Sequence, residues 1–196
     1  YANPRRGGII ALALGADDEG IRAQLTDGQQ EILLSTKKGK AIRFAEGEVR
    51  ATSRGTFGVR GITLEEKDEV VSIEILNQEA TLLTVSSQGY GKRSSLEAYR
   101  VQSRGGKGAS TMRTTEKTGE VRGVRQVTED DHLMLITDGG KIIRLRIAEL
   151  RVIGRNTQGV RLAKLDKGTQ ISSAARIFKD EDREENGDGE IPKTEG

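Results

Sequence analysis

The chain has 196 residues, of which 34% are hydrophobic, 3% aromatic and 32% charged, with 25 glycines; this suits one domain, or several small units acting as one, with a thin and turn-rich core. It has no cysteine and a single histidine, His132, which excludes disulfide staples, thiol nucleophiles and thiolate metal sites, leaves little for triad chemistry, and agrees with an expected cytoplasmic location. The net charge of +2 conceals a segregation, because Asp180 to Gly196 carries eight acidic and two basic residues while residues 1–179 hold 30 basic against 22 acidic; no apolar run approaches the ~18 residues of a membrane span.

In chain order the strands repeat, and fixed-period similarity decides the architecture before any local assignment. Gly8 to Leu14 and Ile21 to Leu25 are expected as strands closing an earlier unit, so the chain opens in mid-pattern at Tyr1. Three complete units follow. Each begins with a short apolar strand, at Ile32 to Leu34, Leu82 to Leu83 and Leu133 to Ile136, before a glycine turn. Each continues with an alternating segment, as in residues 58–64 and 159–165, and ends with a further strand at Val70 to Ile73, Val121 to Val124 and Ile171. The unit ends fall near 25, 76, 127 and 177, a period of 50 or 51 that matches a four-stranded propeller blade. β-Branched residues and glycines oppose helix nearly everywhere, and only Leu96 to Tyr99 and Ile147 to Leu150 allow a helical turn. The expected class is therefore all-β over residues 1–179, with 180–196 an acidic disordered tail.

Within that repeat, three arginine columns and one glycine column keep register. Arg43, Arg50, Arg54 and Gly58 recur as Arg93, Arg100, Arg104 and Gly108, and again as Arg144, Arg151, Arg155 and Gly159. The three copies contain 20 of the 30 basic residues before position 180 but only four of the 22 acidic ones. Lys40, Arg60, Lys92, Lys107, Lys141 and Arg161 extend the same segments. Isolated cations of this kind usually only solubilise strand edges. A surface arginine has no evident packing reason to recur at a fixed place, so the columns are expected to meet a polyanion. Arginine suits phosphate through its planar donor fork and permanent charge. Sparse aromatics disfavour base stacking on single strands, and no helix is available for a major groove, which leaves duplex DNA held by its backbone. The loop Gln102, Ser103, Arg104, Gly105, Gly106, Lys107, Gly108 admits either a tight strand turn or a phosphate cradle. His132 reads as an ordinary edge histidine, and no metal-ligating set is evident.

Four segments resemble the C-terminal domain of bacterial DNA gyrase A: Tyr1 to Leu12 (YANPRRGGIIAL), Gly39 to Leu64 (GKAIRF with VRATSRGTFGVRGITL), Gly89 to Tyr99 (GYGKRSSLEAY) and Ile136 to Leu162 (ITDGGKIIRLR with VIGRNTQGVRL). The resemblance implies a β-pinwheel, a propeller-like ring whose hairpins are exchanged between neighbouring blades. It implies a DNA-wrapping role within a type II topoisomerase that supercoils DNA negatively. Implied partners are double-stranded DNA, the rest of gyrase A, and gyrase B, in a heterotetramer, with ATP and Mg expected elsewhere in the holoenzyme and no catalytic centre or cofactor here. Gln102 to Gly108 resembles the family's gyrase box with Ser103 in place of Arg and in a later unit, so it reads as a degenerate copy within the later blades. The alternatives are the related topoisomerase IV C-terminal domain and a protein-interaction propeller docking an acidic partner.

Overall fold

The computed structural model describes residues 6–177; Tyr1 and the acidic stretch 180–196 lie outside them. Eleven strands form three antiparallel sheets. The first contains β1 (Glu31–Thr36), β2 (Lys40–Ala45) and β3 (Val70–Ile75). The second contains β4 (Thr81–Ser86), β5 (Tyr90–Ser95) and β7 (Val121–Val127). The third contains β8 (His132–Thr137), β9 (Ile142–Arg146) and β11 (Ile171–Ile177). The two short strands β6 (Ala109–Ser110) and β10 (Val160–Arg161) each join the sheet of the preceding unit, giving the orders β3-β1-β2-β6, β10-β5-β4-β7 and β11-β8-β9. The expected all-β, propeller-like organisation with exchanged strands is present.

The strands β1 and β4 bury residues on both faces, which explains why they read as short apolar runs rather than strict alternations, whereas β8 alternates buried with half-buried positions. In β4, Leu82 faces a cluster with Leu33, Ala41, Leu96, Tyr99, Met112 and Val121, whereas Leu83 and Val85 face one with Leu133, Leu135, Ile147 and Ile171. Neighbouring sheets thus share core, and no sheet owns both sides of its own central strand. Polar chemistry enters the junctions too. The Tyr99 hydroxyl lies 2.6 Å from Thr111 Oγ1, which lies 3.3 Å from Thr84 Oγ1; burial raises the Tyr99 phenol above its usual range. Glu74, only 5% exposed, accepts from Arg125 at 3.2 Å and Arg22 at 3.1 Å, tying β3 to β7 and to the N-terminal segment.

The strand exchange explains the glycine column. β6 pairs Ala109 with Ala41, and β10 pairs Val160 with Gly91. The glycine that starts each crossover has positive φ, +68° at Gly108 and +73° at Gly159. A Cβ would stand 2.6 Å from the Ala41 carbonyl oxygen and 2.4 Å from that of Gly91, respectively. Both the conformation and the space demand glycine.

Two expectations are corrected. Gly8 to Leu14 and Ile21 to Leu25 form no strand, and Ile10 and Leu25 are 75% and 99% exposed. In later units the corresponding crossover pairs with a strand of the unit before, and no such strand precedes residue 8 among the described residues. Residues 58–64 likewise form no strand, although Ile62 is buried. Helical turns occur at both expected places, as 3-10 turns Leu96–Ala98 and Ile147–Glu149, and also at Glu46–Glu48.

Gly58 meets nothing within 4 Å of an added Cβ and lacks positive φ. Gly159→Ala should therefore cost at least ~1 kcal/mol of stability by urea unfolding, while Gly58→Ala should stay near zero; equal costs would contradict this account of the crossover.

Candidate nucleic-acid interface

The arginine columns separate into three structural kinds. The first column reaches forward. Arg43 Nη1 donates to the carbonyls of Leu96 and Tyr99 at 3.0 and 3.2 Å, with Nε on Glu31 Oε2 at 3.1 Å. Arg93 Nη1 repeats this on Ile147 and Leu150, both at 3.1 Å, while Nε donates to Thr81 Oγ1 at 3.1 Å and Nη2 to Glu129 at 3.2 Å. The acceptors are the first residue and the C-cap of the next unit's 3-10 turn. Arg144, the third copy, is exposed and its Nε donates instead to His132 Nδ1 at 2.6 Å.

The third column reaches backward. Arg104 donates from Nε to the Glu48 carbonyl at 3.2 Å and from Nη1 to that of Arg60. Arg155 donates from Nε to the Ala98 carbonyl at 2.8 Å and from Nη1 to that of Ser110 at 2.9 Å. Arg54, the first copy, is exposed and has no hydrogen-bond or ion-pair partner among the described residues. Each junction is thus held by one arginine from either side, fastened to main-chain oxygens in and beside the short turns.

Lys92 is spent in the same way. It is 1% exposed, with Nζ donating to the carbonyls of Gly154, at 2.9 Å, and Arg155, and to Thr157 Oγ1 at 3.3 Å. Burial, reinforced by the Arg155 charge, lowers its ammonium to about 8.

These placements engage Arg43, Lys92 and Arg93, expected from the sequence as DNA contacts, within the repeat junctions. Their donors face the neighbouring unit, and Arg93 is only 3% exposed. They also overturn the premise that a recurring arginine has no packing reason. Arg104 and Arg155 are half-buried and engaged, whereas Lys40 stands 3.7 Å from Glu65 and Lys141 3.9 Å from Asp166.

The second column is different. Arg50, Arg100 and Arg151 each follow the C-cap of a 3-10 turn, all three are exposed, and none has a hydrogen-bond or ion-pair partner among the described residues. The side chains of Arg60 and Lys107 are likewise exposed and without a partner among the described residues. Arg161 is exposed with its Nη2 on the Tyr90 hydroxyl. The loop Gln102 to Gly108 is a strap across the preceding unit: Gln102 N donates to the Arg43 carbonyl at 2.8 Å, Gly105 N to that of Gly61 at 2.8 Å, and the Gly106 carbonyl accepts from Thr63 N at 2.9 Å. Its side chains at Ser103 and Lys107 are exposed. Sequence reasoning missed one further cationic column, Lys67, Lys117 and Lys167, which its 50-residue spacing could have revealed. Among the described residues no group of three or more His, Cys, Asp or Glu is placed to hold a metal, and no helix is long and apolar enough to cross a membrane.

Fold and surface together define a tandem-repeat, propeller-like β-protein that presents an unpaired arginine after the 3-10 turn of each of three repeats. The model of the DNA gyrase C-terminal domain, beta-propeller, matches residues 30–77, 80–128 and 131–177, and the chain belongs to that family. It is 42% identical over 185 residues to DNA gyrase A of Salmonella typhimurium, covering 94% of this chain and 21% of that protein. It is 39% identical over 196 residues to that of Staphylococcus aureus, covering 99% and 22%. The chain therefore spans about a fifth of these relatives. A solved gyrase A C-terminal domain superposes with a TM-score of 0.81 at 29% identity, covering 88% of this chain and 59% of the other. The C-terminal domain of DNA topoisomerase IV gives 0.86 at 23% identity, covering 91% and 56%, a likeness of fold.

Arg93→Met should cost about 3 to 5 kcal/mol in urea unfolding, because two turn carbonyls and a buried strand lose their cation, whereas Arg151→Gln should remain within ~0.5 kcal/mol. Lys92 supplies a pH signature. Its folded value of about 8 lies below the ordinary 10.5, so the penalty of burying the ammonium is fully present below pH 8 and is relieved as pH rises toward 10.5. Urea midpoints should show the wild type gaining stability relative to Lys92→Met between pH 8 and 10; a constant difference would refute a depressed lysine.

Proposed function

We propose that this chain binds, bends and chirally wraps duplex DNA without reading its sequence, as the C-terminal part of a DNA gyrase A protein that supports ATP-dependent negative supercoiling. The observation that carries the reading is the exposed and unpartnered state of Arg50, Arg100 and Arg151 at one place in three successive repeats. Packing accounts for the neighbouring columns but asks nothing of this one. A guanidinium kept free at each repeat supplies a regularly spaced series of phosphate donors. Arg54, Arg60, Lys107, Lys141, Arg144 and Arg161 add charge beside it, while Lys40, Arg104 and Arg155 contribute field from partly engaged positions.

Bending a short site by 40 to 90° costs roughly 1 to 6 kcal/mol, so wrapping depends on many modest phosphate contacts rather than one deep site. A curved stack of repeats provides such a series. In this reading the breakage, religation and ATP chemistry, with its Mg, belong to the rest of gyrase A and to gyrase B in a cytoplasmic heterotetramer. Identity near 40% to gyrase A over nearly the whole chain supports gyrase over topoisomerase IV. The aromatic content of 3% leaves few anchors for a protein-docking propeller.

Duplex binding titrated across salt tests the proposal. Replacing Arg50, Arg100 and Arg151 together by Gln should flatten the slope of log affinity against log salt by about 2.7, or ~0.9 for each phosphate no longer neutralised, with the fold retained. An unchanged slope would remove the column from the interface.

A further inference from the structure

At the turn between β4 and β5 lies a concavity of about 470 Å³ that the arginine columns do not explain. Tyr90, 9% exposed, forms part of its lining, with Lys117 contributed by the second unit and Arg161, Lys164 and Lys167 by the third. Arg161 Nη2 donates to the Tyr90 hydroxyl at 3.1 Å, and its guanidinium carbon stands 5.6 Å from the ring centroid. Lys117 Nζ stands 5.5 Å from the same centroid. The ring thus organises two cations by hydrogen bonding and cation–π attraction. Tyr90 reports the resulting potential: the Arg161 hydrogen bond, with the charges of Arg161 and Lys117, holds its hydroxyl below the usual phenol range. Lys117, Lys164 and Lys167 are exposed and have no ion pair among the described residues. Asp166, the one carboxylate on the lining, is 81% exposed and stands 3.9 Å from Lys141.

The equivalent place one unit earlier is neutralised. There the chain reads Glu65-Glu66-Lys67-Asp68-Glu69, and Glu65 approaches Lys40 at 3.7 Å while Glu69 pairs with Lys37 at 2.9 Å. In the second unit the corresponding run is Thr115-Glu116-Lys117-Thr118-Gly119, so three of the four acids are gone while the lysine stays. Repetition alone would have preserved both.

We propose that this cleft is a phosphate-binding site, distinct from the Arg50, Arg100 and Arg151 column. Tyr90 opens β5 and Arg100 lies beyond its far end, roughly 17 Å of strand away. Two or more ammonium groups and the fixed guanidinium converge on one anionic group, and Tyr90 keeps that guanidinium oriented at little entropic cost. The phosphate comes either from a DNA backbone or from a small phosphorylated molecule, and the proposal extends past the DNA reading because its chemistry requires only a phosphate.

The test follows amide NMR shifts of the intact chain during titration with inorganic pyrophosphate and, separately, a short duplex, in wild type and in Lys117→Gln/Lys164→Gln/Lys167→Gln. Saturable shifts at residues 88–91 and 161–168 in the wild type, weakened at least tenfold in the variant, are expected. Response to both probes identifies a general phosphate site, and response to the duplex alone identifies a backbone phosphodiester. Absence of response to both at those residues, or equal response in the variant, overturns the proposal. Duplex-induced shifts confined to residues 48–54, 98–104 and 149–155 would overturn the cleft as a DNA contact and leave the wrapping surface standing. Pyrophosphate shifts at the cleft with no duplex response anywhere would keep the cleft and refute the DNA reading.

Discussion

The interaction on which the fold depends is a guanidinium fastened to main-chain carbonyls across a repeat junction. Each sheet is small and shares a core cluster with its neighbour, so no unit closes its own core. Shared apolar clusters, with Leu82 beside Leu33 in one and Leu83 beside Leu133 in the other, supply attraction but little direction. Direction comes from Arg43 and Arg93 reaching forward to a 3-10 turn, and from Arg104 and Arg155 reaching back to the same region of the unit before. Five donors in a rigid plane suit this task, because one side chain satisfies two carbonyls and still pairs a strand residue such as Glu31 or Thr81.

A surface rich in arginine is therefore not by itself a nucleic-acid surface. In this chain much of the arginine is structural, and its charge is taken up by carbonyl dipoles and by Glu31 or Glu129. What remains is a thinner but better-defined pattern, with one free guanidinium after each 3-10 turn. The two roles are mechanically joined. The turn that accepts Arg43 or Arg93 through its carbonyls is the turn from which Arg100 or Arg151 projects, so the junction clasp also sets the spacing of the free cations. Arg144 and Arg54, the outer copies of the clasping columns, meet no partner turn among the described residues, and both are exposed.

The architecture was legible because its determinants are local and repeated. Apolar strands at Ile32, Leu82 and Leu133, a glycine at each crossover and a period near 50 suffice to specify all-β repeats. The exchange of β6 and β10 was expected only through family resemblance, since no local pattern tells a strand which sheet it will join. The basic residues were legible as a set, but their individual surroundings were not. Arg93 and Arg100 look alike in sequence, and only the chain's path reveals that one faces the next unit and the other faces solvent. The burial of Lys92 was illegible for the same reason, because a junction partner 62 residues away in sequence leaves no local trace. The Tyr90 cleft escaped because its cations come from two repeats, and because its distinction lies in acids that are missing beside Lys117 rather than in residues that are present.

The central claim is that the free arginine column guides DNA along a curved, handed path. Closing nicked circular DNA around the bound chain and measuring linking number tests it most directly, since affinity alone is indifferent to handedness. The account predicts a shift of one consistent sign that grows with the amount of chain bound and disappears when Arg50, Arg100 and Arg151 are replaced by Gln in a folded protein. Saturated binding with no change in linking number would contradict it.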